Sequence, residues 1–327
     1  MDLSRFSKKY MMELILSFIT LVLVFSAPGF FSFPNILNIF RNVALAGVIS
    51  FGMTMTIIGG EIDLSVGSSI ALSAVVTATI TGALAKAGIL PMESGVIVAM
   101  ICAVLIGLAI GLINGYVRTR FNIPSFIITL AMLNVIYGTA ALISKGFPVT
   151  TLPDWYNWIG AGQLWGIFPV PAIWLLIAFA VVFVIMNLTK FGREVYAVGG
   201  NPEAARLSGI NVTKVKIIIL VAVQVLAAFS GIILSAQVMS GSSTFGRGYE
   251  MDVISAVIIG GASLNGGIGK VWGTMIGIIF LGVINNGMTL FGVGDFEKYI
   301  VRGMLILLAV LLNTIQIQSL QKAKLSK

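Results

Sequence analysis

The residues able to do chemistry in this chain are few, and their types limit what that chemistry can be. Two acidic pairs stand out: Glu61-Ile62-Asp63 after Gly59-Gly60, and Glu250-Met251-Asp252 after Gly246 and Gly248. A carboxylate at the start of a helix accepts hydrogen bonds from the free N–H groups and complements the dipole. At membrane depth the same charge costs ~2.5–3.5 kcal/mol to insert, which argues for a place in a pathway. Both readings apply to both pairs. Five amides, Asn114, Asn134, Gln224, Asn285 and Asn286, sit inside otherwise apolar runs. There they join helices by hydrogen bonds or line a route for a polar solute. With Glu61 and Asp63 they are the candidate pathway residues.

Covalent and metal chemistry is largely excluded. The chain has no histidine, which removes Ser-His-Asp catalysis, His-ligated zinc or haem, and a histidine proton relay. Its one cysteine, Cys102, lies in an apolar run, so neither an intrachain disulfide nor a thiolate metal cluster is expected. No G-x-x-x-x-G-K-[ST] loop occurs, so ATP is not hydrolysed through a P-loop of this chain. The expectation is a non-enzyme that binds no metal.

The elements that position these residues follow from composition. Of 327 residues, 58% are hydrophobic and 10% charged, with a mean hydropathy of +1.04. A globular domain carries about 25% charge. This is therefore an all-α polytopic membrane protein, one transmembrane domain over residues 1–327. Spans are expected near 12–30, 43–59, 64–84, 95–116, 123–143, 171–188, 216–238, 252–264, 271–290 and 299–313. The first follows Arg5, Lys8 and Lys9 and lacks a good small-x-small cleavage site, so it reads as an uncleaved anchor with a cytoplasmic N-terminus.

Ten alternations put Arg41, Lys86, Lys145, Arg247, Lys298 and Arg302 outside, leaving 14 of the 20 basic residues inside. That split obeys the positive-inside rule with both termini cytoplasmic, and it accounts for the net charge of +8 without a nucleic acid partner. The 252–264 segment is short, so eight spans is the alternative to ten. The two acidic pairs fall on opposite faces in this count. Spans 2–5 and 7–10 then form an inverted repeat, an arrangement common in transporters.

Glycines mark the helix contacts. Gly107, Gly111 and Gly115 recur every fourth residue in one span, and Gly269, Gly273 and Gly277 do so in another. Such faces let backbones approach closely, for packing or for sliding. Between Lys145 and Pro171 lie Trp155, Tyr156, Trp158 and Trp165, which read as interfacial anchors or as an external docking surface.

One cytoplasmic loop, 190–216, carries a short helix of its own. Asn201 is its N-cap and Pro202 its first-turn residue; Glu203 complements the dipole. Ala204, Ala205, Arg206 and Leu207 propagate it through Ser208, and Gly209 stops it. Two turns are unstable alone in water. The helix must pack on something: the membrane surface, as part of an ordinary ordered loop, or, in a transporter without its own ATPase, a separate ATPase subunit.

The stretches Gly60-Glu61-Ile62-Asp63-Leu64-Ser65-Val66-Gly67-Ser68, Gly200 through Ile210, and Gly260 through Gly269, with Asn285-Asn286-Gly287, resemble the ribose-type sugar permeases of ATP-binding cassette importers. These belong to the branched-chain and monosaccharide permease family, whose members also serve other pentoses, hexoses and autoinducer-2. The resemblance runs through nearly the whole chain. It implies a multi-pass subunit of the bacterial cytoplasmic (inner) membrane that dimerises with a second copy or a related permease. An extracytoplasmic sugar-binding protein would deliver the sugar to it. An ATPase below would hold ATP and Mg, with no cofactor on this chain, and would couple through Asn201 to Gly209. The intramembrane amides would then exchange hydrogen bonds with sugar hydroxyls during alternating access. The alternatives are an ion-coupled secondary transporter using Glu61, Asp63, Glu250 or Asp252, and a membrane enzyme acting on lipid.

Overall fold

The computed structural model describes residues 11–294, 296–305, 307, 308 and 311. The basic ends that entered the topology count (Arg5, Lys8, Lys9, Lys322, Lys324 and Lys327) lie outside them. Helix α1 (Met11–Ser26) is short and apolar, and turns at Gly29, whose φ is +79°. Then come α2 (Phe33–Ile58), α3 (Val66–Lys86), α4 (Met92–Phe121) and α5 (Ser125–Ser144). A 3₁₀ turn (Asp154–Tyr156), α6 (Asn157–Ala161) and a hairpin of β1 (Gln163–Leu164) and β2 (Phe168–Pro169) fill the next connection. The two strands are antiparallel, Leu164 opposite Phe168.

Helices α7 (Val170–Leu188), α8 (Lys190–Gly200), α9 (Pro202–Leu207), α10 (Val212–Val238), α11 (Tyr249–Ile259) and α12 (Val271–Leu290) follow. Residues 296–305 are helical as well. Among the described residues, seven helices are long and apolar enough to cross a membrane: α2, α3, α4, α5, α7, α10 and α12. The chain is an all-α polytopic membrane protein.

Four expectations are corrected. The span read as 43–59 begins at Phe33, and two of the polar side chains ahead of residue 43 reach partners on other elements. Asn35 pairs with Asn286, and Arg41 Nη2 donates to the carbonyl of Ala161 at 2.8 Å. The 252–264 segment forms only the 11 residues of α11, about 16 Å of helix against a hydrocarbon core of ~30 Å. It ends at Gly260 and Gly261, the latter with φ +88°. Residues 190–216 are not a loop with one helix. Thr189 caps α8, which buries Val195 and Val198, so α8, α9 and the start of α10 follow one another with few residues between. Finally Tyr156 is not interfacial: it is fully buried, its hydroxyl donating to Ile232 O at 2.9 Å. Trp155, Trp158 and Trp165 remain exposed.

Helix α10 is central, packing on α4, α3 and α2. A Cβ on Gly111 would lie 2.5 Å from Val221 Cα, and one on Gly115 would lie 2.8 Å from Ile217 Cα; Gly107 faces Ala228 in the same seam. On α12, Gly273 abuts the carbonyl of Gly260 and Gly277 that of Ala256, while Gly269, just before the helix, lies against Ile58. The short helix α11 is held in the bundle by its neighbours. Helix α11 packs on α12 and α2, and α3 packs on α4 and α10. The starts of α3 and α11 meet: a Cβ on Gly67 would lie 2.5 Å from Gly246 O and would strike the Glu250 carboxylate.

Candidate functional site

The link between α2 and α3 holds the most concentrated polar chemistry. Gly60 has φ +78°, and turns the chain so that Glu61 is buried. Its carboxylate accepts from Arg118 Nε at 2.9 Å on both oxygens and lies 2.6 Å from Lys216 Nζ. A carboxylate held by two cations and almost out of water is costly to break, by ~3–5 kcal/mol when a partner is removed. Neither cation was visible in the sequence as anything but a topology charge. The available signal was that a buried carboxylate needs a partner, and Arg118 and Lys216 end the adjoining spans.

Two residues on, Asp63 is fully buried and is paired with no cation among the described residues. Its Oδ1 accepts from Ser65 Oγ at 2.6 Å and Ser65 N at 2.9 Å; Oδ2 accepts from Gln224 Nε2 at 2.8 Å and Asn114 Nδ2 at 3.4 Å. Ser69 Oγ donates to Gln224 Oε1. Burial pushes the Asp63 carboxyl above its ordinary range, and these hydrogen bonds oppose the rise. Three residues expected to line a pathway, Asp63, Asn114 and Gln224, thus form one buried network joining the α2–α3 link, α4 and α10, in which Asn114 Oδ1 has no partner among the described residues. Ser65 and Ser69, which the sequence did not single out, complete it.

A junction of glycines connects this link to the short helix. Gly267 N–H donates to Ile58 O at 2.8 Å. Gly199 lies against both: a Cβ there would overlap the Ile58 carbonyl and sit 2.7 Å from Gly267 N. A Cβ on Gly266 would be 3.0 Å from Gly60 Cα. Two residues after Gly199, Asn201 Oδ1 accepts from Glu203 N and Ala204 N, both at 3.0 Å, and caps α9. Pro202, Glu203, Ala204, Arg206, Leu207, Ser208 and Gly209 are exposed, and Glu203 pairs with Arg206 at 3.2 Å. Leu207 is 83% exposed. Ala205 is buried, in the core cluster that also holds Val195, Val198 and Val212.

The remaining amides lie elsewhere. Asn285 and Asn286 line a cavity of about 140 Å³ with Asn38, Asn42, Asp252 and Arg302. Arg302 Nη1 lies 2.9 Å from Asp252 Oδ1. Asn134 belongs to neither group: it is exposed on α5 and bonds only the Leu130 carbonyl of its own helix.

The site is thus two buried polar networks inside a bundle of apolar helices, with an exposed capped helix beside them. The model of one protein family, described as branched-chain amino acid transport system / permease component, matches residues 35–310. The chain belongs to this permease family. The permease is 38% identical to the ribose import permease of Escherichia coli strain K12 over 317 residues, 94% of this chain and 95% of that one. To the ribose import permease of Bacillus subtilis it is 42% identical over 288 residues, covering 88% and 86%. To the L-arabinose transport system permease of E. coli K12 it is 35% identical over 329 residues, covering 98% and 93%. No solved structure matches it. The permease is a multi-pass protein of the bacterial inner membrane and a transport subunit, not an enzyme.

Proposed function

We propose that this permease forms the membrane pathway for a monosaccharide in an ATP-driven importer. What supports the substrate class is the identity with ribose and arabinose permeases along almost the full chain. What supports the coupling is α9: a capped helix of six residues that exposes Glu203, Arg206 and Leu207, and is tied through the Gly199 junction to the Glu61 link. In this reading a second permease copy, identical or related, completes the path. A sugar-binding protein loads it from outside, and ATP and Mg stay in an ATPase that docks on Asn201 to Gly209. Movement of α9 passes through Gly199 to Ile58 and Gly267, and from there to the networks at Glu61 and Asp63. The side bearing Lys190, Arg193, Lys214 and Lys216 is then cytoplasmic.

The test is uptake in proteoliposomes holding the permease with its ATPase and binding protein. ATP-dependent sugar uptake that stops without the ATPase is the expected result. Uptake that persists without the ATPase and collapses with an ion gradient overturns the proposal in favour of an ion-coupled carrier.

A further inference from the structure

The cavity between α2, α11, α12 and the helix at 296–305 has unspent hydrogen-bonding capacity. Asn38 and Asn42 are one turn apart on α2, exposed to the cavity, and among the described residues linked only by a 3.4 Å contact between their own amides. Among the described residues the Asn285 side chain makes no hydrogen bond, although it is exposed on a spanning helix where lipid offers none. Asn286 is different: it exchanges both amide bonds with Asn35, at 2.9 and 2.8 Å, and so holds the wall in place. Across the space stands the Asp252–Arg302 pair, 2.9 Å apart and partly exposed.

We propose that this cavity is a monosaccharide-binding station inside a single permease subunit. The donors and acceptors match the ligand class. Each amide offers two N–H donors and a carbonyl acceptor, while the carboxylate and guanidinium supply an acceptor and a fork of donors. Adjacent hydroxyls, each both donor and acceptor, satisfy all of these, and a neutral polyol brings no net charge to an already neutral site. Size agrees as well. At ~30 Å³ of liquid volume per water, 140 Å³ is the room of about five waters, the scale of a pentose. Position agrees too: Asn38 and Asn42 lie in the first half of α2 and Asn285 in the last turns of α12, away from the Glu61 end. With the basic end cytoplasmic, the station faces the side from which sugar arrives. It rests on the sugar-importer reading and adds that the permease itself selects its solute.

The test is saturation-transfer NMR on the purified full chain in lipid nanodiscs, with no binding protein or ATPase, using D-ribose, L-arabinose and D-galactose as probes. At least one sugar is expected to give a saturable signal. Asn42→Ala with Asn285→Ala should weaken it about ten-fold, the scale of two lost hydrogen bonds, whereas Asn134→Ala should leave it unchanged. Should the double variant fail to fold, Asn285→Ala alone carries the test, because no described side chain depends on that amide. No signal from any sugar, or an equal signal in the variants, overturns the station. ATP-driven uptake by the assembled importer together with no sugar binding by the permease alone rejects the station and leaves the importer reading standing. Binding lost in the variants, together with ATP-independent uptake, does the reverse.

Discussion

Gly267 hands its backbone N–H to the carbonyl of Ile58 at 2.8 Å, and Gly199 fits over that bond only because it lacks a Cβ. The last turn of α2, the loop before α12 and the end of α8 meet there backbone to backbone. Any side chain at Gly199 must push them apart. Overpacking of this kind costs ~1–3 kcal/mol. Gly199→Ala is therefore expected to lower the melting temperature in detergent and to raise the ATP hydrolysed per sugar taken up in proteoliposomes. A variant with native uptake and a native ATP-to-sugar ratio would show that the junction transmits nothing.

Glu61 stands between Arg118 and Lys216, with side chains 16% and 11% exposed. Removing the carboxylate leaves two cations facing each other with little water, whereas removing one cation leaves the other in place. Glu61→Gln should thus destabilise the permease by ~3–5 kcal/mol, more than Arg118→Gln or Lys216→Gln alone. A double-mutant cycle on Glu61 and Arg118 in denaturant unfolding measures the coupling. A value near zero rejects the buried pairing.

The Asp63 carboxyl is held above its ordinary 3.8 by burial. The folded state then holds the Asp63 proton more tightly than the unfolded state does. The sign follows from linkage: this group favours folding fully below 3.8, and that contribution is lost as pH rises through its elevated folded-state value. Asp63→Asn should remove this part of the pH dependence, so the stability difference between native protein and variant should shift in the variant's favour with rising pH. Melting curves of both proteins from acid to neutral pH test it. Parallel curves would mean that Asp63 titrates as an ordinary carboxylate.

Local rules made some of this legible and left the rest hidden. The cap at Asn201 and the stop at Gly209 are contacts within a few residues, so they can be read from the order of residue types. Gly209 indeed has φ +82°. The Glu61 triad joins positions 61, 118 and 216, and no periodicity relates residues so far apart. The polar start of α2 looked like a loop because Asn35 finds its partner 251 residues away at Asn286. Among the amides, burial separated Asn114 and Gln224, in one buried network, from Asn134, which among the described residues bonds only its own helix. Residue type alone cannot make that distinction.

Ala205 and Leu207 are two residues apart on α9 and face opposite ways, 4% and 83% exposed. They therefore separate folding from coupling. Ala205→Glu drives an unpartnered carboxylate into the core cluster that holds Val195 and Val212, which should destabilise strongly and lower the yield of folded protein. Leu207→Glu changes only an exposed position, where substitutions move stability by about 0.5 kcal/mol or less. An apolar contact at the centre of an interface is worth ~1–4 kcal/mol. If α9 is where the ATPase docks, Leu207→Glu should leave the melting temperature unchanged while cutting ATP-driven uptake by about ten-fold or more. Pull-down of the ATPase by the variant should fall with it. Full uptake by a normally folded Leu207→Glu permease would take α9 out of the ATPase contact.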